Sequence, residues 1–506
     1  MRQHAVSCLC AGLTVILVAG CTVLGVPSQS PLDAFAAHLD ERAPALMDRY
    51  GVPGVSIAVV RDGELVWVNA YGYADPREGR AMTPETLLRV QSITKSATAW
   101  GVMKLVEQGA IGLDDPITAR VTTWEFPETD YDWDEVTVRR LLSHSAGLPA
   151  GGYSAPPPAE GMPPLHWALS GGAGAPAARP IDPPGSLFRY SNPGYVLLEL
   201  LIEEVTGREF AGYMEGDVLR PLGMDQATFT WTDDVRAALA TSHRATGDPV
   251  PLYRPHADGP QAPSAHGTLY ATAGDIGRLV AAGMEGPGGE PAGRRVLAVQ
   301  SVNEMHTPVV ETTGFYSLGA EGSGLGHLVE TLGGGERALT HGGQGAGSYS
   351  WYHSVPQTGD GIVILTNSER SLQFIADILG DWTAWRGLSP VGLTHAVRWA
   401  RAFVGALGLL ALGLAAWLVS AVALGRRPFA PLASRARLGR TLLGGFGLLI
   451  LGLWWGLGYG VVRHFLPVFS GWLGIVLSAA FGMVVLTALF PRQPPSPSGA
   501  RGGRGH

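Results

Sequence analysis

Hydrophobic and polar positions divide the chain into three zones. Near the C-terminal end, residues 402–424, 441–462 and 465–490 carry no charged side chain. Each stretch is long enough to cross about 30 Å of hydrocarbon as a helix. At the other end, Arg2 precedes a single apolar run over residues 5–20, the pattern of a secretory signal rather than a spanning helix. Between these zones the pattern is that of a globular domain, residues 31–390. Residues 55–60 and 64–70 are β-rich runs around Arg61-Asp62-Gly63, which predicts a hairpin with an Asp-Gly turn. A helix is expected from near Ser92 to just before Gly109, with Ala97, Trp100, Met103 and Leu105 along its apolar side. Further helices are expected over 194–206 and 209–219, and two strands over 347–355 and 361–367. Residues 149–185, rich in Pro, Gly and Ala, read as a loop that rims a cleft. The strand–helix–strand order predicts an α/β domain with a helical insertion spanning about residues 116–270.

Charge sharpens this division. Residues 1–390 hold 25 basic and 43 acidic side chains (net −18), whereas residues 391–506 hold 11 Arg and no acid. An acidic globular part lacks the clustered basic surface that nucleic acid requires. In the C-terminal zone, Arg426, Arg427, Arg435, Arg437 and Arg440 fall between the first two apolar stretches. Only Arg463 and His464 separate the second from the third, and Arg492, Arg501 and Arg504 follow it. The positive-inside rule then puts the first loop and the 491–506 tail, read as disordered, in the cytoplasm and the globular domain outside it. Gly452, Gly456 and Gly460 repeat at four-residue spacing on the second stretch, which suits close helix packing as well as it suits a generally glycine-rich chain.

The three cysteines, Cys8, Cys10 and Cys21, all lie near the N-terminus, so the domain has no disulfide framework, thiol nucleophile or cysteine metal site. Val18-Ala19-Gly20-Cys21 resembles a lipoprotein processing box with Cys21 lipidated; the alternative is ordinary signal cleavage within residues 1–21. No His-Glu-x-x-His or similar cluster occurs, so neither a metal nor another cofactor is expected.

Candidate chemistry begins with a scarcity. The chain has two lysines, and Lys95 follows Ser92 by three residues in Ser92-Ile93-Thr94-Lys95. Arg stays protonated in proteins, whereas burial tunes a Lys amine into a base. On a helix the two residues would share one face. Tyr190-Ser191-Asn192 follows the turn at Pro184-Gly185, and His341-Gly342-Gly343 lies at the start of the final strand pair. No Gly-x-Ser-x-Gly elbow occurs, which argues against an α/β-hydrolase.

Ser-x-x-Lys, Tyr-x-Asn and His-x-Gly in this order, with Leu141–Pro149 and Met82–Thr86 beside them, resemble the penicillin-binding-protein and class C β-lactamase-like superfamily of serine hydrolases. The likeness runs from about residue 35 to 388. It implies an α/β fold with an antiparallel sheet flanked by helices, a helical subdomain, and here three transmembrane helices after it. It also implies Ser92 as acylated nucleophile, with Lys95 and Tyr190 sharing the base role. Asn192 would hold Lys95 and donate to the substrate. The backbone N–H groups of Ser92 and Gln344 would form the oxyanion hole, each such donor being worth roughly 3–4 kcal/mol of barrier. Gly342 and Gly343, without Cβ atoms, would let a substrate backbone lie close. His341 replaces the Lys of β-lactam-binding members and is common in the esterases and D-amino-acid-releasing peptidases. His144 reads as a buried structural histidine, and His266 as either a pocket or a surface residue.

A signal, a hydrolase domain and three spans together resemble membrane-anchored peptidases that activate exported acyl-peptide prodrugs. The expected function is therefore a peptidase on D-amino-acid-containing peptides, acting at the outer side of a bacterial cytoplasmic membrane. Its partners would be a small peptide or ester substrate, membrane lipids and an export transporter. The alternatives are an esterase or β-lactamase-type hydrolase, and a non-catalytic penicillin-binding-like sensor.

Overall fold

The structure, a computed structural model, describes residues 32–151, 164–172, 176–250, 264–345, 347–425, 435–456 and 467–490. The apolar run at 5–20, Cys21, Arg426, Arg427 and the 491–506 tail lie outside the described residues, as does part of the 149–185 segment.

Eleven strands are used below: β1 (Gly54–Arg61), β2 (Glu64–Asp75), β3 (Arg80–Ala81), β4 (Leu88–Arg89), β5 (Tyr270–Ala271), β6 (Val310–Glu311), β7 (Gly322–Ser323), β8 (Leu328–Thr331), β9 (Arg337–Gly345), β10 (Ser348–Val355) and β11 (Asp360–Thr366). Among the described residues nine of them form one sheet, in the order β3-β2-β1-β11-β10-β9-β8-β7-β6. Every pairing is antiparallel. The expected first hairpin forms, and its Asp62 (φ 52°) and Gly63 (φ 70°) both take the positive φ of a tight hairpin turn. The chain leaves the sheet after β3 and re-enters it at β6, building a helical layer in between.

Alternation along the central strands feeds two cores. Val55, Ile57 and Val59 of β1, with Ile362 and Ile364 of β11, face helices α1 (Leu32–Tyr50) and α5 (Leu372–Arg386). There Phe35 stacks on Trp385 with centroids 4.3 Å apart. Ala58, Val60, Val363 and Leu365 point the other way, into the helical layer. That layer contains α2 (Thr94–Glu107), α3 (Asn192–Thr206) and α4 (Ala273–Ala282). Helix α2 was expected to have one apolar side, but it is buried almost all round, from Thr94 through Met103. Among its described residues the expected loop at 149–185 contains the helix Pro164–Leu169, which buries Leu165, Ala168 and Leu169.

Among the described residues three further helices are long and apolar enough to cross a membrane: α6 (Gly392–Ala423), α7 (Arg435–Gly456) and α8 (Pro467–Leu489). Helix α6 starts ten residues before the charge-free stretch at 402, because the domain absorbs its early polar groups. Arg401 donates to both carboxylate oxygens of Asp377 (2.7 and 3.1 Å) and to the Tyr50 hydroxyl (2.9 Å), and Thr394 donates to the Ala376 carbonyl (2.9 Å). Close packing between α7 and α8 falls at Gly444 and Gly447. A Cβ at Gly444 would lie 2.7 Å from Val485, and one at Gly447 would lie 2.3 Å from the Phe481 ring. At Gly452 a Cβ would meet nothing within 4 Å, and Gly460 lies outside the described residues.

Candidate active site

Ser92 lies in a 3-10 turn, Gln91–Ile93, between β4 and α2. Among residues 90–103 it alone is not buried. Gln91, just before it, takes φ 54°, a conformation that costs a non-glycine residue roughly 1–3 kcal/mol. The surroundings hold it there. Gln91 Nε2 donates to Ser348 Oγ (2.9 Å), the Gln91 carbonyl accepts from Thr94 Oγ1 (2.6 Å), and the Val90 carbonyl accepts from Ser350 Oγ (2.5 Å). Ser92 is thereby presented at the N-terminus of α2, where the helix dipole favours negative charge.

Lys95 is fully buried (0 % exposed) among three acceptors. Its Nζ lies 2.6 Å from the His266 carbonyl, 2.8 Å from Asn192 Oδ1 and 3.3 Å from Ser92 Oγ. Burial pushes its ammonium well below the ordinary lysine range. A neutral amine has two N–H donors, and the two shorter contacts use them on groups that only accept. In that neutral form the lone pair would be left to face Ser92 Oγ at 3.3 Å.

Tyr190 is hydrogen-bonded to Ser92, and burial, reinforced by Tyr316, pushes its phenol well above the usual value. Phenolate is therefore disfavoured here, which separates the two residues expected to share the base role. His144 packs against Tyr190 with ring centroids 4.2 Å apart, and its Nδ1 accepts from the Ser191 N–H at 3.2 Å. Burial holds it neutral, which matches the structural role read from the sequence. Asn192 Oδ1 holds Lys95 as expected, and its Nδ2 donates one N–H to the Gly151 carbonyl, which leaves the second N–H for a substrate.

His341 lies in the middle of β9, a strand that precedes the final pair instead of opening it. Its Nδ1–H donates to the Gly342 carbonyl (2.8 Å), and burial, with Lys95 next, lowers its pKa to about 3. It stands at the site as a neutral imidazole. Gly343 has a different task from the one expected. A Cβ there would lie 2.0 Å from Ser350 Oγ and 2.3 Å from the Val90 carbonyl, so its bareness makes room for the nucleophile's own backbone. Gln344 follows on the same strand, which runs against the turn that carries Ser92.

Glu199 is a functional residue that the motif reading missed. This α3 residue is 4 % exposed, and its Oε2 accepts from the backbone N–H groups of Ser264 (2.6 Å) and Ala265 (2.8 Å). Burial pushes its carboxyl up to about 8. The turn it holds presents the His266 carbonyl to Lys95, so it is the backbone of His266 that reaches the site's amine. An acid in the middle of an apolar helix, Leu197-Leu198-Glu199-Leu200, was the available signal. Among the described residues no group of His, Cys, Asp or Glu is arranged to hold a metal ion.

Comparison with known proteins fits this geometry. The Beta-lactamase family model matches residues 39–378, a span that contains every candidate site residue. The chain belongs to the Beta-lactamase family. Its relatives there include Penicillin-binding protein 4 of Amycolatopsis lactamdurans, 28% identical over 361 residues that cover 68% of this chain and 88% of that one. Esterase EstB of Burkholderia gladioli is 30% identical over 355 residues, covering 64% and 87%. A solved structure of SurE with D-Leu superposes with a TM-score of 0.53 at 27% identity, over 69% of this chain and 74% of that one. Within the Beta-lactamase family the chain is a serine hydrolase of the esterase, peptidase and β-lactamase type.

Proposed function

We propose that this Beta-lactamase family member is a membrane-anchored peptidase, acting outside the cytoplasm on D-amino-acid-containing peptides or acyl-peptide prodrugs through an acyl-enzyme on Ser92. The observation that carries the mechanism is Lys95, buried, with its Nζ 3.3 Å from Ser92 Oγ. Lys95 takes the Ser92 proton as Oγ attacks the acyl carbonyl. Tyr190, kept neutral, bonds to Ser92 and relays a proton toward the leaving amine. The oxyanion is received by the N–H groups of Ser92 and Gln344 at the head of α2. Water then cleaves the ester, with Lys95 again as base. Because Lys95 acts as a free amine, activity falls on the acid side as it protonates and is sustained toward alkaline pH. The three apolar helices support anchoring, and the Arg-rich loop after α6 supports the outward orientation. The D-Leu in the SurE structure supports a preference for D-configured residues.

An esterase reading is favoured by the likeness to EstB and by the neutral His341, which offers no cation to a substrate carboxylate. The test begins with a fluorophosphonate probe on the solubilised full chain and its Ser92→Ala and Lys95→Ala variants. Labelling of the wild type alone supports the Ser–Lys site. Turnover of D-aminoacyl anilides then marks a peptidase, and turnover of nitrophenyl esters alone marks an esterase. Labelling without turnover of either would favour a sensor.

A further inference from the structure

Tyr316 belongs to none of the sequence motifs, yet it lies against the site. Its ring stacks on Tyr190, with centroids 5.3 Å apart and planes at 14°, and Phe188 meets it edge-on at 5.2 Å. It sits in a 3-10 turn, Gly314–Leu318, that is tied at both sides. Thr313 Oγ1 donates to the Phe188 carbonyl (3.2 Å), and the Tyr316 carbonyl accepts from the N–H groups of Gly319 (3.1 Å) and Ala320 (3.0 Å). Gly319 in turn rests on the first residue of α6: a Cβ at Gly392 would lie 2.8 Å from Gly319 Cα and 3.0 Å from its carbonyl oxygen. Gly392 is itself pinned, its N–H donating to Glu330 Oε1 at 2.5 Å. Direct contacts therefore run from α6 through Gly319 and Tyr316 to Tyr190, which is bonded to Ser92.

We infer that Tyr316 is a positioning residue for Tyr190, and that the first turn of α6 holds it in place. The helix that anchors the enzyme is then also part of the support of its active site. The inference rests on the reading of Tyr190 as the neutral partner of Ser92. The work is done by the ring face of Tyr316 rather than its hydroxyl, because the contact is a stack. The two glycines at the junction are unequal. Gly392 has no room for a Cβ, whereas Gly319, at φ −131°, would place one 3.9 Å from its nearest neighbour.

The experiment compares full-length variants for labelling rate, kcat and KM on a nitrophenyl ester, with thermal unfolding as the check on folding. Tyr316→Phe keeps the stack and stays within about twofold of wild type, while Tyr316→Leu loses roughly tenfold in kcat with KM little changed. Gly392→Ala loses a similar factor, adds nothing in the Tyr316→Leu background, and Gly319→Ala stays near wild type. Wild-type kcat in Tyr316→Leu would overturn the inference, as would losses from Gly392→Ala and Tyr316→Leu that multiply. Tyr190→Phe separates the two levels. If it labels slowly while Tyr316→Leu labels normally, the inference alone falls; if it labels as fast as wild type, the reading of Tyr190 falls and takes the inference with it.

Discussion

The chain's two lysines lie on one helix, nine residues apart, and their surroundings could hardly differ more. Lys95 is sealed under the nucleophile among two carbonyl-type acceptors and a hydroxyl. Lys104, in the last turn of α2, is half-buried and donates to the Asp217 carbonyl at 2.7 Å. The same side chain is a candidate base at one end and a cap for a neighbouring turn at the other. What separates them is the wall around Lys95, made of β9, the 264–269 turn and α3. Residue type nominates a base; desolvation and the count of acceptors appoint it.

That contrast breaks first at the lysines themselves. Lys95→Arg puts a permanent cation there and cannot supply a lone pair, so probe labelling should fall by about 10³-fold or more. Lys104→Arg should label at the wild-type rate, with stability changed by no more than about 0.5 kcal/mol in urea unfolding. Next comes the wall. Gly343→Ala drives a Cβ against Ser350 Oγ and the Val90 carbonyl, and such overpacking costs about 1–3 kcal/mol. We expect a labelling rate lower by roughly 10²-fold, because strand and nucleophile turn must part.

A smaller effect is expected from Glu199, which holds the turn that faces Lys95. Glu199→Ala strands two buried N–H groups and should lower the labelling rate roughly tenfold, while Glu199→Gln, which retains an acceptor, should restore most of it. The smallest effect is on stability. With its carboxyl pushed up to about 8 from an ordinary 4.5, Glu199 keeps a proton in the folded chain that the unfolded chain has released. Stability therefore falls as pH rises through that window, by at most about 1.4 kcal/mol per pH unit from this group. Glu199→Gln should flatten the slope between pH 5 and 8 in denaturant titrations.

What the sequence discloses follows from the range of each interaction. The Asp62-Gly63 hairpin and the Ser92–Lys95 spacing are local, and both take the expected form. The start of α6 is hidden because Arg398 and Arg401 interrupt the apolar pattern, and only the fold shows that Asp377 and Tyr50 receive Arg401. Gly343 looks like a gap left for substrate until the Val90 carbonyl is seen filling it. Glu199 and Tyr316 reach the site across 65 residues or more of sequence, beyond anything periodicity reports.

The junction at Arg401 has one more consequence. Ten residues of free coil between the domain and residue 402 would let the hydrolase wander, with a root-mean-square reach of about 17 Å. Here the same ten residues are helix, rising about 15 Å and bolted to the domain at Gly392, Thr394 and Arg401. The enzyme is mounted on a mast rather than a leash. Its cleft keeps one height and one bearing relative to α6, so on the proposed membrane anchoring a substrate would have to be delivered to that station.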